Sequence, residues 1–316
     1  MAGAIIDRDR PVMVFLTVTR RCNLSCGYCS EYDDVSAPVP LAALRQRVDH
    51  LARLRTVLVT LNGGEPLLHP ELPAVVDYVR ARGMSAAVNS NGFLLTRATI
   101  EALNGAGLCA LQVSLDALVP NAVTKKALKT LQPKLDLLRA HAGFQVRVNT
   151  VFGAAPPEES LAVVKAVLAM GFESKCALLR APDGRPAPVD ARTQAIYDEI
   201  ARLEGRSLGL LGERFQDQLL HDGGVAWKCR AGARYFHVCE DGLVHLCGPR
   251  FGTPAVPLAG YGPDDLRRAF DTEKSCARTC PVAYAHMVSR MDAWREQEFP
   301  APIAPAGSHR LPVVQT

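Results

Sequence analysis

The sequence predicts an α/β fold: an open, partial (β/α)6 barrel followed by a small β-hairpin and helix appendage. Three observations point there. Short apolar runs rich in Val and Leu alternate with stretches of helical spacing, six times over. Several of the helical stretches close on Gly, a frequent helix C-terminus. Near residue 206 the alternation stops and a Cys-rich hairpin pattern begins. Six units are too few for a complete eight-stranded barrel. A flat doubly wound sheet is the second choice.

The strands, in order, are "VMVFLTV" (12–18), "TVLVTL" (56–61), "SAAVNS" (85–90), "CALQVSL" (109–115), "FQVRVNTV" (144–151) and "SKCALLR" (174–180). Each is short and apolar, as a buried parallel strand requires. The helices between them are "LAALRQRVDHLARL", "ELPAVVDYVRARG", "TRATIEALNGAG", "VTKKALKTLQPKLDLLRAHAG" and "PEESLAVVKAVLAMG". "DARTQAIYDEIARLEG" (190–205) adds a sixth. Within the fourth helical stretch, "KKALK" (125–129) reads as a solvated helix face. Beyond residue 206, "WKCRAGARYFHVCEDGLVHLC" reads as a hairpin turning at "EDG". The helix-like "PDDLRRAF", the loop "CARTC" and a last helix to about Trp294 follow. The expected divisions are a barrel over 1–206, an appendage over 207–299 and a Pro-rich tail over 300–316.

The chain has 316 residues, 48% hydrophobic and 22% charged, which suits a globular protein with one large core. A formal charge of +4 is small for this length and gives no ground for nucleic acid or an anionic membrane as partner. The N-terminal stretch lacks the pattern of a signal peptide, and no apolar run spans a bilayer. A reducing, cytoplasmic setting is therefore expected. There, ten cysteines are better read as metal ligands or reactive thiols than as disulfides. Isolated Cys109 and Cys176 suit simple packing; the clustered cysteines do not.

In a parallel sheet of this kind, chemistry gathers at the C-terminal ends of the strands. Four unusual loops belong there. Cys22, Cys26 and Cys29 follow the first strand, "LNGGEP" the second, "NSNG" the third and "SLDA" the fourth. Three thiolates in eight positions can grip a metal, and by themselves a zinc ion with a distant fourth ligand would suffice. "CNLSCGYC" followed by "GGEP", "NSNG" and "SLDA" resembles the radical S-adenosylmethionine (SAM) superfamily, whose fold is a partial TIM barrel. The resemblance covers most of residues 12–180. It implies a [4Fe–4S] cluster on Cys22, Cys26 and Cys29, with SAM on the iron left open. Reduction then cleaves SAM to methionine and a 5′-deoxyadenosyl radical that abstracts hydrogen.

By position, the resemblance places Tyr28 near the adenine. Gly63, Gly64, Glu65 and Pro66 would turn backbone carbonyls to the SAM amino group, with the two glycines permitting close approach. Asn89, Asn91, Ser114 and Asp116 fall where the family contacts SAM ribose and carboxylate. Arg147 and Asn149 alternate with Val146 and Val148, so they share a face. That face either turns into the barrel toward SAM or substrate, or is a solvated edge.

A second resemblance lies in the appendage. Cys229, Cys247, Cys276 and Cys280 look like the ligands of an auxiliary [4Fe–4S] cluster in the short, twitch form of a SPASM domain. The last pair is spaced x3 where x2 is commoner. A four-cysteine zinc knuckle is the alternative. Cys239, just before the "EDG" turn, fits neither set and is a packed thiol or a functional one. The resemblance implies hydrogen abstraction from a small molecule or short peptide, with flavodoxin or ferredoxin as electron donor. Oxidation through the auxiliary cluster is the expected outcome, making the chain an oxidoreductase. An epimerase using Cys239 as hydrogen donor is the runner-up. A non-catalytic zinc scaffold is the reading from outside the enzymes. Because the first strand comes early, no leader-peptide-binding domain is expected. "APDGRPAP", after the sixth strand, is expected to line the substrate pocket.

Overall fold

The computed structural model describes residues 7–29, 32–180, 185–205 and 215–295. The expected boundary near 206, the first residues of "APDGRPAP" (181–184) and the tail from 300 lie outside the described residues. Six parallel strands come first: β1 (Met13–Thr19), β2 (Leu58–Gly63), β3 (Ser85–Ser90), β4 (Ala110–Ser114), β5 (Gln145–Phe152) and β6 (Glu173–Leu178). The helices α1 (Leu41–Arg53), α2 (Leu72–Ala81), α3 (Arg97–Gly105), α4 (Leu128–His141), α5 (Pro157–Ala169) and α6 (Ala191–Glu204) follow them in turn. The first six strands lie side by side in chain order, β6-β5-β4-β3-β2-β1. A doubly wound sheet would reverse that order part-way to put helices on both faces. Here all crossovers run the same way, and the sheet curves as a barrel that does not close.

Period-two alternation divides the sheet into two faces. Val14, Leu16 and Val18 of β1, Val59 and Leu61 of β2, and Leu111 and Val113 of β4 pack in one cluster with Leu44, Val48 and Leu51 of α1 and Val75, Val76 and Val79 of α2. Burial of this layer, at about 1.5–3 kcal/mol for each fully buried aliphatic side chain, holds the helices on. The residues between point the other way, into the concave lumen. They include Phe15, Asn62, Asn89, Gln112 and Asn149. An apolar outer layer and a polar lumen explain why the strands carry Asn and Gln between their valines.

The appendage continues the sheet. After α7 (Phe215–Asp222), β7 (Tyr235–Val238) pairs in parallel with β1, with Met13 opposite Tyr235 and Leu16 opposite Val238. The expected hairpin forms with β8 (Leu243–His245), and its turn includes Gly242 at φ 82°. The edge strand β9 (Pro254–Pro257) then pairs with β8. Neither β9 nor α7 was evident in the sequence, and prolines at both ends of β9 suit only an edge position. Helices α8 (Pro263–Asp271) and α9 (Ala283–Arg290) complete the described chain.

One buried ion pair ties these parts together. Arg234, just before β7, donates from Nε and Nη2 to the two carboxylate oxygens of Asp292, each at 2.7 Å. Both side chains are fully buried. Arg234 Nη1 also donates to the Arg10 carbonyl, 2.8 Å away, ahead of β1. Asp292→Ala leaves a buried guanidinium without its counter-charge. The expected cost is about 3–5 kcal/mol, read as a lower urea midpoint; an unchanged midpoint would show that the pair does not bind the appendage to the sheet.

Candidate active site

The three-cysteine loop leaves β1 and is gripped from two sides. On one side lies the turn after β2. A Cβ on Gly63, whose φ is +148°, would stand 1.8 Å from the Thr19 carbonyl oxygen, and one on Gly64 2.2 Å from that of Arg20. Only glycine lets the two backbones meet. They are joined by Gly64 N donating to Thr19 O and Glu65 N to Arg21 O, both at 2.9 Å. The close approach expected of these glycines is thus made to the cysteine loop itself. Pro66 opens a short 3-10 turn, and the Glu65 side chain turns inward. Its fully buried carboxylate accepts from Ser90 Oγ and Asn91 N at 2.7 Å and from Leu67 N at 3.0 Å. Burial raises the pKa of this carboxyl, while the donors from Asn91, Ser90 and Leu67 and the charge of Lys126 oppose the rise. Asn91 in turn donates to Asn23 Oδ1 at 2.7 Å, with its Nδ2 3.8 Å from Cys22 Sγ.

On the other side lies the segment after β4. Tyr28 donates its hydroxyl to Asp116 Oδ2 at 2.6 Å. Thr124 Oγ1 donates to the same oxygen at 2.9 Å, and Val151 N to Oδ1 at 3.0 Å. Lys126 Nζ stands 3.2 Å from Asp116 Oδ2 and also donates to the Tyr28 hydroxyl. Lys126 therefore corrects the reading of "KKALK" as a solvated helix face. It is buried, and it precedes α4, which starts at Leu128. A bridge between Ala117 and Ala127 lays this stretch beside the end of β4. Gly27 N donates to Val123 O at 2.9 Å, and Cys26 Sγ lies 4.0 Å from Thr124 Oγ1. Burial first, then Asp116, pushes the Tyr28 pKa far above the usual phenol range, so Tyr28 stays a proton donor.

Cys22 lies within electrostatic reach of both Cys26 and Cys29. Burial raises the Cys22 pKa, and Glu65, Cys29 and Cys26 raise it further. The Leu24 N–H pointing at Cys22 Sγ, 3.4 Å away, works in the opposite sense by favouring the thiolate. Three closely set thiols with N–H donors aimed at sulfur are a fit ligand set for an iron–sulfur cluster. Among the described residues, no three His, Cys, Asp or Glu side chains stand at the spacing of a single bound metal ion.

Beneath this rim lies a lumen cavity of about 370 Å³. Asn89, Gln112, Arg147 and Glu173 sit opposite one another on β3 to β6 and form a polar belt. Arg147 Nε and Nη2 donate to Glu173 Oε2 at 3.0 and 2.9 Å. One layer closer to the rim, Ser114, Asn149 and Lys175 are register partners. Arg147 and Asn149 thus face the lumen and not a solvated edge; Asn89 joins them on the cavity wall, while Ser114 and Asn91 lie off it. Tyr284 of α9 reaches across to donate to Gln112. His237 stacks on Phe15 at 4.9 Å, and its Nε2 is 2.8 Å from the Tyr235 hydroxyl. Burial, then His245 and Arg180, pushes the His237 pKa down to about 3, so the imidazole is neutral. Sequence reading missed Lys126, Lys175, His237 and Tyr284. The parity that puts 147 and 149 on one face, extended to β6 and β7, would have found Lys175 and His237.

The second cysteine set lies where the hairpin and the chain after α8 come together. Cys229 precedes β7, Cys247 follows β8, and Cys276 and Cys280 flank the turn Ala277–Thr279. The Cys247 thiol is pushed up to about 12 by burial and then by the charges of Cys280, Cys229 and Cys276. Cys239 stands apart. It is buried at the start of the hairpin turn, where Arg47 of α1 donates to its carbonyl at 3.0 Å, and it is not among the residues lining the lumen.

Residues 16–179, over half of the chain, match the sequence profile of the radical SAM superfamily. The chain belongs to that superfamily. Its members carry a [4Fe–4S] cluster and SAM. The chain is 32% identical over 115 residues to Fe-coproporphyrin III synthase of Methanosarcina barkeri, covering 35% of this chain and 29% of that protein. It is 26% identical over 202 residues to AdoMet-dependent heme synthase of the same organism, covering 61% of this chain and 57% of that one. In both cases the match spans less than two thirds of the relative. The crystal structure of Streptococcus suis SuiB bound to precursor peptide SuiA superposes with a TM-score of 0.63, covering 88% of this chain and 71% of SuiB. At 14% identity that likeness concerns the fold. No helix among the described residues is long and apolar enough to cross a membrane.

Gly64→Ala forces the cysteine loop away from the β2 turn. The expected result is a loss of about 1–3 kcal/mol or more, as in overpacked cores, together with weaker SAM binding. A calorimetric melt and a SAM titration check both; if neither moves, the two backbones are not held in register by this glycine.

Proposed function

We propose that this radical SAM protein abstracts a hydrogen atom from a small molecule or short peptide seated in the lumen, and that the product leaves oxidised. Cys22, Cys26 and Cys29 would hold the SAM-binding [4Fe–4S] cluster, and Cys229, Cys247, Cys276 and Cys280 a second one. Bound there, the first cluster and SAM supply reductive SAM cleavage and a hydrogen-abstracting radical, and the second cluster supplies an electron acceptor. The observation that carries this reading is the position of the lumen. Its polar wall lies between a three-thiol loop at the C-terminal ends of the strands and a four-thiol set fed by the N-terminal side of β7 and the far end of β8.

The chain's own residues orient and shield. The Glu65 and Asp116 networks hold the cysteine loop against β2, β3 and β4. Asn89 and Asn149 offer hydrogen-bonding groups to the sugar or amino-acid part of SAM. Tyr284, Phe15 and Tyr235 close the lumen and exclude water from a reactive intermediate. Cys239 is not among the residues lining the cavity, which supports oxidation over epimerisation, since a thiol hydrogen donor must reach the substrate carbon. A low-potential donor such as flavodoxin or ferredoxin would deliver the electron.

Anaerobically reconstituted protein is expected to carry about eight irons, as two four-iron clusters require, and the Cys22, Cys26 and Cys29 triple Ala variant about four. Reduced wild type should convert SAM to 5′-deoxyadenosine and the variant should not. Cleavage persisting in the variant would reject the assignment of these cysteines. Stoichiometric zinc in place of residual iron would identify the second set as a zinc knuckle.

A further inference from the structure

The lumen wall carries two kinds of cation. Arg147, in the inner belt, is neutralised by Glu173 at 2.9 Å. Lys175 lies one layer closer to the rim, opposite Asn149. Arg180 stands just past the end of β6, and its charge is felt at His237, which also lines the lumen, and at Cys280. Both cations line the cavity. Among the described residues neither makes an ion pair or a side-chain hydrogen bond. Two carboxylates share this wall. Glu204 accepts from Ser174 Oγ at 2.7 Å and from Cys176 N at 3.0 Å, so both its oxygens are held on β6, with the Lys175 charge felt there but no contact at ion-pair distance. Asp217 stands on the α7 side. A lysine and an arginine that face one cavity without an ion pair, beside a packed aromatic wall, form a receptor for an anion with an adjoining flat or apolar body.

Resting on the function proposed above, we infer that the substrate bears an anionic group, a carboxylate or a phosphate, held by Lys175 and Arg180. This places the anion at β6. The substrate body then extends along the lumen toward Phe15 and Tyr284, below the layer of Asn149.

Benzoate, phenyl phosphate and benzamide are suitable probes, because they share a ring and differ in charge. Each is titrated by ligand-observed NMR into anaerobically purified protein. At least one anion should saturate the site about tenfold or more tighter than benzamide, as a charge-assisted contact provides. The tighter anion tells carboxylate from phosphate. Lys175→Gln and Arg180→Gln should each weaken that anion about tenfold, and Lys175→Arg should keep it bound. The anion should remain bound at saturating SAM. Displacement by SAM would give these cations to the SAM carboxylate and overturn the inference. Equal binding of benzamide, no saturable anion binding, or binding unmoved by both Gln variants would overturn it as well. SAM cleavage is assayed on the same wild-type preparation. Lost anion preference with cleavage intact refutes this inference alone; absent cleavage with the preference intact refutes the functional reading alone.

Discussion

The contact between the Gly63–Gly64 backbone and Thr19–Arg21 is the constraint on which the site depends. Two main chains meet where any side chain would collide with a carbonyl oxygen. β1 and β2 pair in register from Met13–Leu58 to Thr17–Asn62, then slip by one residue so that Thr19 meets Gly63, and the contact transfers the rigidity of the sheet to a loop that has no regular structure of its own. Glu65 extends the brace to β3, and Asp116 supplies a matching brace from β4. The cysteines are thereby carried by four strands, although they belong to one loop. Such over-determination is what a cluster site needs, since a displaced ligand costs affinity directly.

Both braces bury charge, and each satisfies it. Glu65 accepts three hydrogen bonds in a fully buried position, and Asp116 meets a phenol, a hydroxyl, a backbone N–H and an ammonium. A buried carboxylate without these donors would shed its charge. The networks therefore specify one arrangement of the rim loops as much as they stabilise it. A half-satisfied version would be worse than an apolar contact.

The strands and rim loops were legible because period-two alternation and glycine punctuation are local signals. "SAAVNS" matched β3 residue for residue, and the helical stretches differed mainly at their ends. The face of Arg147 and Asn149 followed once the sheet was known to curve. What could not be read was non-local. "KKALK" looks solvated by its charge, and only Tyr28 and Asp116, brought in by the fold, make Lys126 a buried residue. The inward turn of Glu65 and the parallel pairing of β7 with β1 depend in the same way on residues far along the chain. The edge strand β9 was hidden by its prolines, which local propensity counts against a strand.

The pairing of β7 with β1 has a mechanical result. Cys22 follows β1 at one end of this strand pair, while Cys229 precedes β7 at the other. The strands act as a ruler between the two thiol sets. A change in either loop can nudge a single sulfur, but the span itself is counted in strand residues. Adding or removing one residue would flip every later side chain to the opposite face. Phe15, Tyr235 and His237 would then leave the lumen and the helix-side core would be opened. The separation of the two sets can therefore change only in steps that dismantle the chamber between them, which leaves loop chemistry free to diversify around a fixed gauge.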